Sequence, residues 1–431
     1  MDRSLVTSML CAAMLAACNT SVTQGLVSLP GPNSLAVAGR TLLIANSGSD
    51  ELRALDLSKD PRAFVRAPNP IYTLSIPTGP IPRAVAAFSA LDSANPGNLI
   101  SSTFAFALST VGGQVTVVPI DSLATLGSEV DGRFQRVSVA VPDTTLALAV
   151  TKPDGDGDRL VLAVTQGGSG SLWSARFPAS LQAGDIPGIQ PALAVQLGLS
   201  APQVLAASPV LADLVAVGDR LTAPDGLGRA GGLALCNLST GAVVRLDVGG
   251  PVMALAFSQA GDKLFGLLDP EACGAAAPCG GLFSASVDAT DPASPVLTDP
   301  KTSQGPSTAT ARGLAVGPNI TVTLAASTPT IDQLIIVSAS DGSLYAFDGS
   351  TLLPPLDVGG DAANPTAFVV PLSNVTSSLT AASTLMLPGA MAFDPVRKLF
   401  YAAYQGGNAL VELDPTTMTS GQTSIGVVVY Q

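Results

Sequence analysis

The stretch from Leu334 to Asp348, LIIVSASDGSLYAFD, consists of an apolar segment, a polar turn and a second segment of alternating character. Two further copies of this pattern are clear: LLIANSGSDELRALD ends at Asp56, and LFYAAYQGGNALVELD ends at Asp414. Alternation over a few residues on both sides of a turn of Gly, Ser, Asn or Asp is typical of a β-hairpin. The chain therefore repeats one hairpin near its beginning and near its end.

Looser copies fill the interval, so the unit recurs about every 60 residues; they end at Asp121, Phe177, Asn237 and Asp288. A short apolar segment precedes most hairpins: PNSLAV at Pro32, PRAVAAF at Pro82, PQVLAA at Pro202, PVMALAF at Pro251, ARGLAV at Ala311 and PGAMAF at Pro388. Further strands such as VVRLDV and GVVVY follow the hairpins. Four short strands per repeat and about seven repeats predict an all-β chain with a single β-propeller. Seven four-stranded blades fit best, and six or eight stay open because the region from Gly226 to Gly232 is ambiguous.

The repeats resemble those of bacterial propellers with YVTN-type repeats. LIAN from Leu43 to Asn46 and YAAY from Tyr401 to Tyr404 echo the motif. The resemblance covers nearly all of the chain after the N-terminal segment, and it implies a closed ring over residues 31–431. A strand near Gly25 is expected to help close the ring beside GVVVY.

The N-terminus has the layout of a secretory signal, with an apolar run from Leu5 to Leu15 followed by small residues. The segment LAAC, which ends at Cys18, resembles the lipobox of bacterial lipoproteins. The resemblance implies that residues 1–17 are removed and that Cys18 is lipidated, so that 18–30 form a tether or a closing strand. Asn19 implies sorting to the outer membrane of the cell envelope. The alternative is an ordinary secretory signal cut near Ala17.

Composition excludes several classes of function. The net charge of −12 repels phosphate backbones, and aromatic residues make up only 4% of the chain, which argues against nucleic-acid binding. There is no histidine, so the usual general base, the usual triad partner and the commonest zinc ligand are all missing.

Three cysteines remain after Cys11 and Cys18 are assigned to the signal and the anchor. In an exported protein, CGAAAPC favours a disulfide between Cys273 and Cys279, with Cys236 left as a buried thiol. A pairing of Cys236 with one of the other two is the alternative.

An acidic cluster in PDGDGDR suggests calcium. Asp154, Asp156 and Asp158 match the first three oxygen positions of a calcium loop. However, Arg159 occupies the position of the invariant glycine, and no glutamate follows at the twelfth position. A tight turn between the first two strands of a blade explains the same residues.

A second candidate site follows from propeller geometry. The innermost strand of each blade lines the central channel and begins at one mouth of it. Five polar residues are expected at these strand starts: Asn33, Arg83, Thr144, Gln203 and Arg312. The two arginines suit a carboxylate or phosphate ligand. The alternative is that they pair with nearby acids or cap strand ends.

The sequence thus favours a membrane-anchored scaffold that binds a protein or a small anionic ligand. The long loop from Asp269 to Gly281 is expected at the same mouth, where binding loops are common. A second interpretation is a lactonase-like hydrolase with a channel-bound divalent metal. It requires two or three acids at the mouth, whereas the residues named above are arginines, amides and a threonine.

Overall fold

The structure is a computed structural model that describes residues 29–67, 73–95, 97–111, 113–121, 123, 129–130, 133–134, 137–166, 169–182, 184–219, 232–269, 281–291, 294–303, 310–321, 330–353, 369–370, 388–417 and 426–430. None of these residues forms a helix that is long and apolar enough to cross a membrane. Cys18, Cys273 and Cys279 lie outside the described residues, as does the segment around Gly25.

Seven antiparallel blades account for most of these residues, and each takes four strands from one continuous segment. The innermost strands are Pro32–Ala38, Pro82–Ala86, Thr145–Val150, Pro202–Ala207, Val252–Phe257, Ala311–Val316 and Pro388–Asp394. The second strands are Thr41–Asn46, Phe104–Ser109, Asp158–Gln166, Leu214–Asp219, Lys263–Leu268, Leu334–Ala339 and Leu399–Tyr404.

The outer half of each blade follows in the same order. The third strands are Glu51–Asp56, Gln114–Pro119, Ser169–Phe177, Leu233–Asn237, Leu282–Asp288, Leu344–Asp348 and Ala409–Asp414. The fourth strands are Ala63–Phe64, Ser138–Ala140, Ala192–Gln196, Val243–Leu246, Val296–Ser303, Val369–Val370 and Gly426–Tyr430. The remaining described elements are Ile76–Pro77 beside the third strand of blade 1, the hairpins Ser89–Leu91 with Leu99–Ser101, Glu129–Val130 with Arg133–Phe134 and Ile320–Thr321 with Thr330–Ile331, and the 3-10 turns Ile186–Gly188 and Pro415–Thr417.

The blades form a closed ring. Each innermost strand contacts the innermost strands of the blades on both sides, and blade 7 contacts blade 1. Seven clusters of buried apolar side chains fill the seven interfaces between neighbouring blades. Because second and third strands are sandwiched between blades, they are apolar on both faces, as in Phe104–Ser109 and Leu334–Ala339. The predicted seven-bladed β-propeller is confirmed.

The residue that ends the third strand has a local structural role, which explains the recurring Asp. In five blades its side-chain oxygen accepts hydrogen bonds from a Ser or Thr two residues later, through both the backbone N–H and the hydroxyl. These residues are Asp56, Asn237, Asp288, Asp348 and Asp414. Such Asx turns end a strand without leaving backbone donors unsatisfied. The hydrogen bonds from Ser58 hold the pKa of Asp56 below its usual value.

Side-chain contacts close the ring, because the four strands of blade 7 all come from residues 388–430. The N–H of Gly31 donates to Asn408 Oδ1 over 3.0 Å, and the rings of Phe64 and Tyr430 pack edge to face with centroids 6.5 Å apart. Leu29, from the predicted tether, is fully buried in the cluster between blades 1 and 7. Within the described residues, therefore, packing and not a shared blade joins the two ends of the ring.

Candidate binding site at the channel mouth

The innermost strands share an irregularity close to their first residue. In every blade the register with the second strand shifts there, so that at least one residue of the innermost strand has no partner. A β-bulge of this kind bends the strand and redirects a side chain. The bulged positions are Asn33, Arg83, Leu146, Gln203, Met253, Arg312 and, in blade 7, Gly389 with Ala390. We call the end of the channel at which these strands begin the N-terminal mouth.

Four of the five residues expected at this mouth occupy bulges, namely Asn33, Arg83, Gln203 and Arg312. Thr144 does not, because the bulge of blade 3 falls at Leu146. Thr144 is instead the residue that directly precedes the strand, which we call the lead-in residue. A shift of two residues is invisible in the sequence because blade 3 lacks the proline that marks the strand start in blades 1, 2 and 4.

Lead-in residues are held by a repeated hydrogen bond. The carbonyl oxygen of the lead-in residue accepts from the backbone N–H of the residue that follows the partner of the strand's first residue. The described pairs are Gly31 with Ser47, Ile81 with Thr110, Thr144 with Thr165, Pro251 with Asp269 and Thr310 with Ser340. This bond fixes the end of the second strand, or the turn directly after it, against the start of the innermost strand, so both belong to the same mouth.

Of the two charged residues at bulges, Arg83 is more deeply buried than Arg312. It is half-buried, and burial lowers the pKa of Arg83 from its usual value, with no charged neighbour contributing within the described part of the chain. The guanidinium stays protonated all the same. No described side chain forms an ion pair or a hydrogen bond with it. A partly desolvated cation without a counterion favours an incoming anion.

Arg312 occupies the equivalent bulge of blade 6, which lies three blades from blade 2 around the ring. Its side chain is exposed, and no described group pairs with it. The two arginines therefore differ in role. Arg83 can bind an anion directly, whereas Arg312 adds positive charge at the same mouth.

Asn33 is used partly as a tie between blades 1 and 2. Its Nδ2 donates to the carbonyl oxygen of Pro82 over 2.6 Å, next to Arg83. Its Oδ1 is buried without a hydrogen-bond partner, as are both amide atoms of Asn46 and the hydroxyl of Ser109. Asn46 pairs in register with Pro32, and Ser109 pairs with Pro82. The junction of blades 1 and 2 thus concentrates unsatisfied polar groups at the mouth, each of which costs about 1–3 kcal/mol when left unpaired.

Farther along the channel, away from the N-terminal mouth, lies a cavity of about 330 Å³ that is lined by the second half of the innermost strands of six blades. Most of its lining side chains are apolar, and among the described lining residues none is charged. Leu35, Val85, Leu148, Leu205, Leu255 and Met391 represent the six blades. This part of the channel therefore offers a ligand no charge from its described residues.

The acidic cluster forms the predicted turn, with Asp154 and Gly157 bridged between the first two strands of blade 3. Both carboxylate oxygens of Asp154 accept from Arg176 Nη1 over 2.7 Å, and Asp156 lies 3.6 Å from the same guanidinium. Asp158 points away toward blade 2, where its Oδ2 accepts from the backbone N–H groups of Thr103 and Phe104. These contacts use the acids for structure, and they give the calcium hypothesis no support.

In the described ranges, no group of three or more Cys, Asp or Glu side chains could hold a metal ion. The hydrolase interpretation required such a cluster at the mouth, and no observation favours it. Cys236 is a fully buried free thiol, and burial raises its pKa to about 12. The predicted Cys273–Cys279 disulfide lies outside the described residues.

Sequence reasoning missed Ile81, the lead-in residue of blade 2. It adopts a left-handed conformation with φ of 49°, and its N–H donates to Asp50 Oδ1 over 2.7 Å. A residue before proline is expected to be extended, and a β-branched residue rarely has positive φ. Nothing in the sequence around Ile81 therefore signals this turn, apart from its position before the proline of a repeat.

No family model and no curated protein sequence matches this chain. Among solved structures, the chain is similar to Kuenenia stuttgartiensis hydrazine synthase, with a TM-score of 0.56, 13% identity, and coverage of 90% of this chain and 97% of that one. It is also similar to the β-propeller domain of Cps50 (Swd1) from Myceliophteria thermophila, with a TM-score of 0.51, 9% identity, and coverage of 88% and 95%. At these identities the likeness shows the fold alone: a seven-bladed β-propeller.

Proposed function

We propose that this protein is a binding protein of the bacterial cell envelope that captures a small anionic ligand at the N-terminal mouth of its channel. The observation that carries the proposal is Arg83, which is half-buried and has no counterion among the described residues. Burying one charge without its partner is unfavourable, and a bound carboxylate or phosphate would remove that penalty. The chain has a net charge of −12, so a half-buried cation without a described counterion is unusual in it.

A direct test measures anion binding by the purified protein. Acetate, phosphate and sulfate, as salts of one cation at constant ionic strength, should raise the melting temperature or give a saturable calorimetric signal for at least one anion. Arg83→Ala should abolish this response. Arg40→Ala is the matched control, because Arg40 is exposed at the opposite end of blade 1. An equal response from wild type and Arg83→Ala, or no response to any anion, contradicts the proposal.

The membrane anchor is the second part of the proposal, and it rests on LAAC ending at Cys18. Several acyl chains on one cysteine hold a protein far better than one chain, since each buried CH₂ contributes about 0.8 kcal/mol. Expression in a bacterial host with a labelled fatty acid should label the wild type and place it in the membrane fraction. Cys18→Ser should lose the label; a labelled Cys18→Ser protein, or an unlabelled wild type, contradicts the anchor.

A further inference from the structure

The lead-in residues of blades 1 and 2 adopt the same backbone conformation with different side chains. Gly31 has φ of 65° and Ile81 has φ of 49°. Each N–H donates to a side-chain oxygen on the preceding blade in the ring, Asn408 Oδ1 for Gly31 and Asp50 Oδ1 for Ile81. Each carbonyl oxygen accepts from the N–H and the hydroxyl of one residue, Ser47 or Thr110 respectively. The fold requires a left-handed turn here, and glycine satisfies it without strain.

Ile81 is therefore an unfavourable choice for the backbone. Among the described residues other than glycine with positive φ, it is the only β-branched one; the others are Asp50, Asp299, Gln333, Leu352, Lys398 and Asn408. Packing does not explain the choice, because 49% of the Ile81 surface is exposed. A strained residue whose side chain does not contribute to the core indicates a role outside folding.

A second exposed apolar residue lies beside Ile81. Val111, 57% exposed, directly follows Thr110, whose N–H and hydroxyl both bind the Ile81 carbonyl. Other exposed large apolar residues in the described ranges lie on outer strands or at the opposite end of the blades: Leu91, Leu193, Val296, Leu353, Val396 and Val428. Ile81 and Val111 thus form an apolar pair at the N-terminal mouth. Ile81 lies two residues before Arg83 in the chain.

We infer that Ile81 and Val111 form the apolar half of the site centred on Arg83, and that the ligand is a small carboxylate with a branched or aromatic apolar substituent. This inference rests on the anion-binding function proposed above. The planar guanidinium of Arg83 matches a carboxylate in bidentate geometry. The substituent then covers the two exposed side chains and removes their apolar surface from water. Arg83 supplies the charge, and the apolar pair selects among carboxylates.

The experiment compares acetate with isovalerate, and isovalerate with the uncharged isoamyl alcohol, by NMR titration of the purified protein. Each buried CH₂ strengthens binding about fourfold, so partial burial of the isovalerate substituent should give it about tenfold higher affinity than acetate. Isoamyl alcohol should not bind measurably, because it lacks the charge for Arg83.

Ile81→Gly should bring the ratio of isovalerate affinity to acetate affinity well below tenfold, because only Val111 then remains to cover the substituent. Its free energy of unfolding should not fall, since glycine suits the backbone. Val396→Gly is the matched control, because Val396 is 44% exposed at the opposite end of blade 7, and it should keep the tenfold preference. If acetate and isovalerate bind equally, or if Ile81→Gly keeps the preference, the apolar half is contradicted while anion binding stands. If phosphate or sulfate binds and no carboxylate does, the carboxylate inference is contradicted; if no anion binds at all, the proposed function itself fails.

Discussion

Blade 1 and blade 2 begin with the same turn, yet blade 1 uses a glycine there and blade 2 an exposed isoleucine. The two turns share their left-handed backbone and the pattern of hydrogen bonds on both sides. They differ again two residues later, where blade 1 has Asn33 tied to Pro82 and blade 2 has Arg83 without a partner among the described residues. The two turns share their backbone and differ in their side chains. The shared part shows what the fold requires, and the differing part shows what is specific to the channel mouth of blade 2. Four predictions examine this difference.

The first prediction has the largest expected effect. It asks whether the unfavourable burial of polar groups in blade 2 is limited to the start of its innermost strand. At the other end of blade 2, the fully buried Asp158 packs against it from blade 3. Burial raises the pKa of Asp158 to about 6, against the hydrogen bonds from Phe104 and Thr103, which lower it. A pKa raised on folding means that this group's stabilising contribution is complete below about pH 4 and is lost as the pH rises through about 6.

Asp158→Asn keeps an acceptor for both N–H groups and cannot ionise. Between pH 4 and pH 7, its free energy of unfolding should therefore rise relative to wild type by up to about 3 kcal/mol. Urea denaturation at both pH values measures this difference. If the free energies of unfolding of wild type and Asp158→Asn change with pH in parallel, burial does not disfavour the ionised Asp158 carboxyl. Among the described residues of blade 2, unfavourable burial of polar groups is then limited to the channel mouth.

The reverse exchange, Gly31→Ile, gives blade 1 the lead-in residue of blade 2. A Cβ at Gly31 would lie 2.9 Å from Ser47 Oγ, and the positive φ adds strain. We expect a loss of about 2 kcal/mol in the free energy of unfolding. Gly31→Ala isolates the effect of branching, since it introduces the same Cβ contact and the same strain at positive φ without the branched side chain. If Gly31→Ile is as stable as wild type, the turn tolerates isoleucine, and Ile81 is not strained.

The two side-chain clamps should differ in strength. Asn408→Gly removes the acceptor of the Gly31 N–H, and glycine suits the positive φ of Asn408, so the substitution should cost at most about 1 kcal/mol, the usual net value of one hydrogen bond. Asp50→Gly removes the matching acceptor in blade 2, but it also lets Ile81 relax, so it should cost less. In an Ile81→Gly background, Asp50→Gly should cost as much as Asn408→Gly does. A double-mutant cycle measures this coupling, and no coupling means that Ile81 stores no strain.

The smallest effect is that of Ile81→Gly on stability alone. Relief of strain, about 1 kcal/mol, is partly offset by the greater freedom of glycine in the unfolded chain. The free energy of unfolding should therefore be unchanged or raised by about 0.5 kcal/mol. Ile81→Ala serves as a comparison, because it removes the exposed apolar surface and keeps part of the strain. A clear loss of stability in Ile81→Gly would show that the side chain packs after all.

The fold could be predicted from sequence because each blade repeats local information. Alternation, polar turns and the closing Asp of the third strand all act over a few residues, and the Asx turn at Asp348 shows why that Asp recurs. The channel mouth could be predicted only in part. Prolines place the strand starts at Pro32, Pro82 and Pro202, so Asn33, Arg83 and Gln203 lie at the start of the innermost strands as expected; that they occupy bulges is seen only in the structure.

What the sequence could not supply depends on contacts between distant residues. The register of blade 3 follows from its pairing with the second strand, which places Leu146 and not Thr144 at the bulge. The conformation of Ile81 follows from Asp50 and Thr110, which lie 31 and 29 residues away. The closure of the ring depends on pairs such as Gly31 with Asn408, and no local pattern marks those residues.

That closure has a consequence for the chain's connectivity. Since the strands of blade 1 and blade 7 are complete in themselves and meet through side chains, the order in which blades follow one another is not essential to the ring. A circular permutant that links Tyr430 to Leu29 through a short flexible peptide, with new ends opened between blades 3 and 4, should form the same seven interfaces. Blades 7 and 1 would then be joined covalently, and the interface between blades 3 and 4 would become the one that closes the ring without a covalent link.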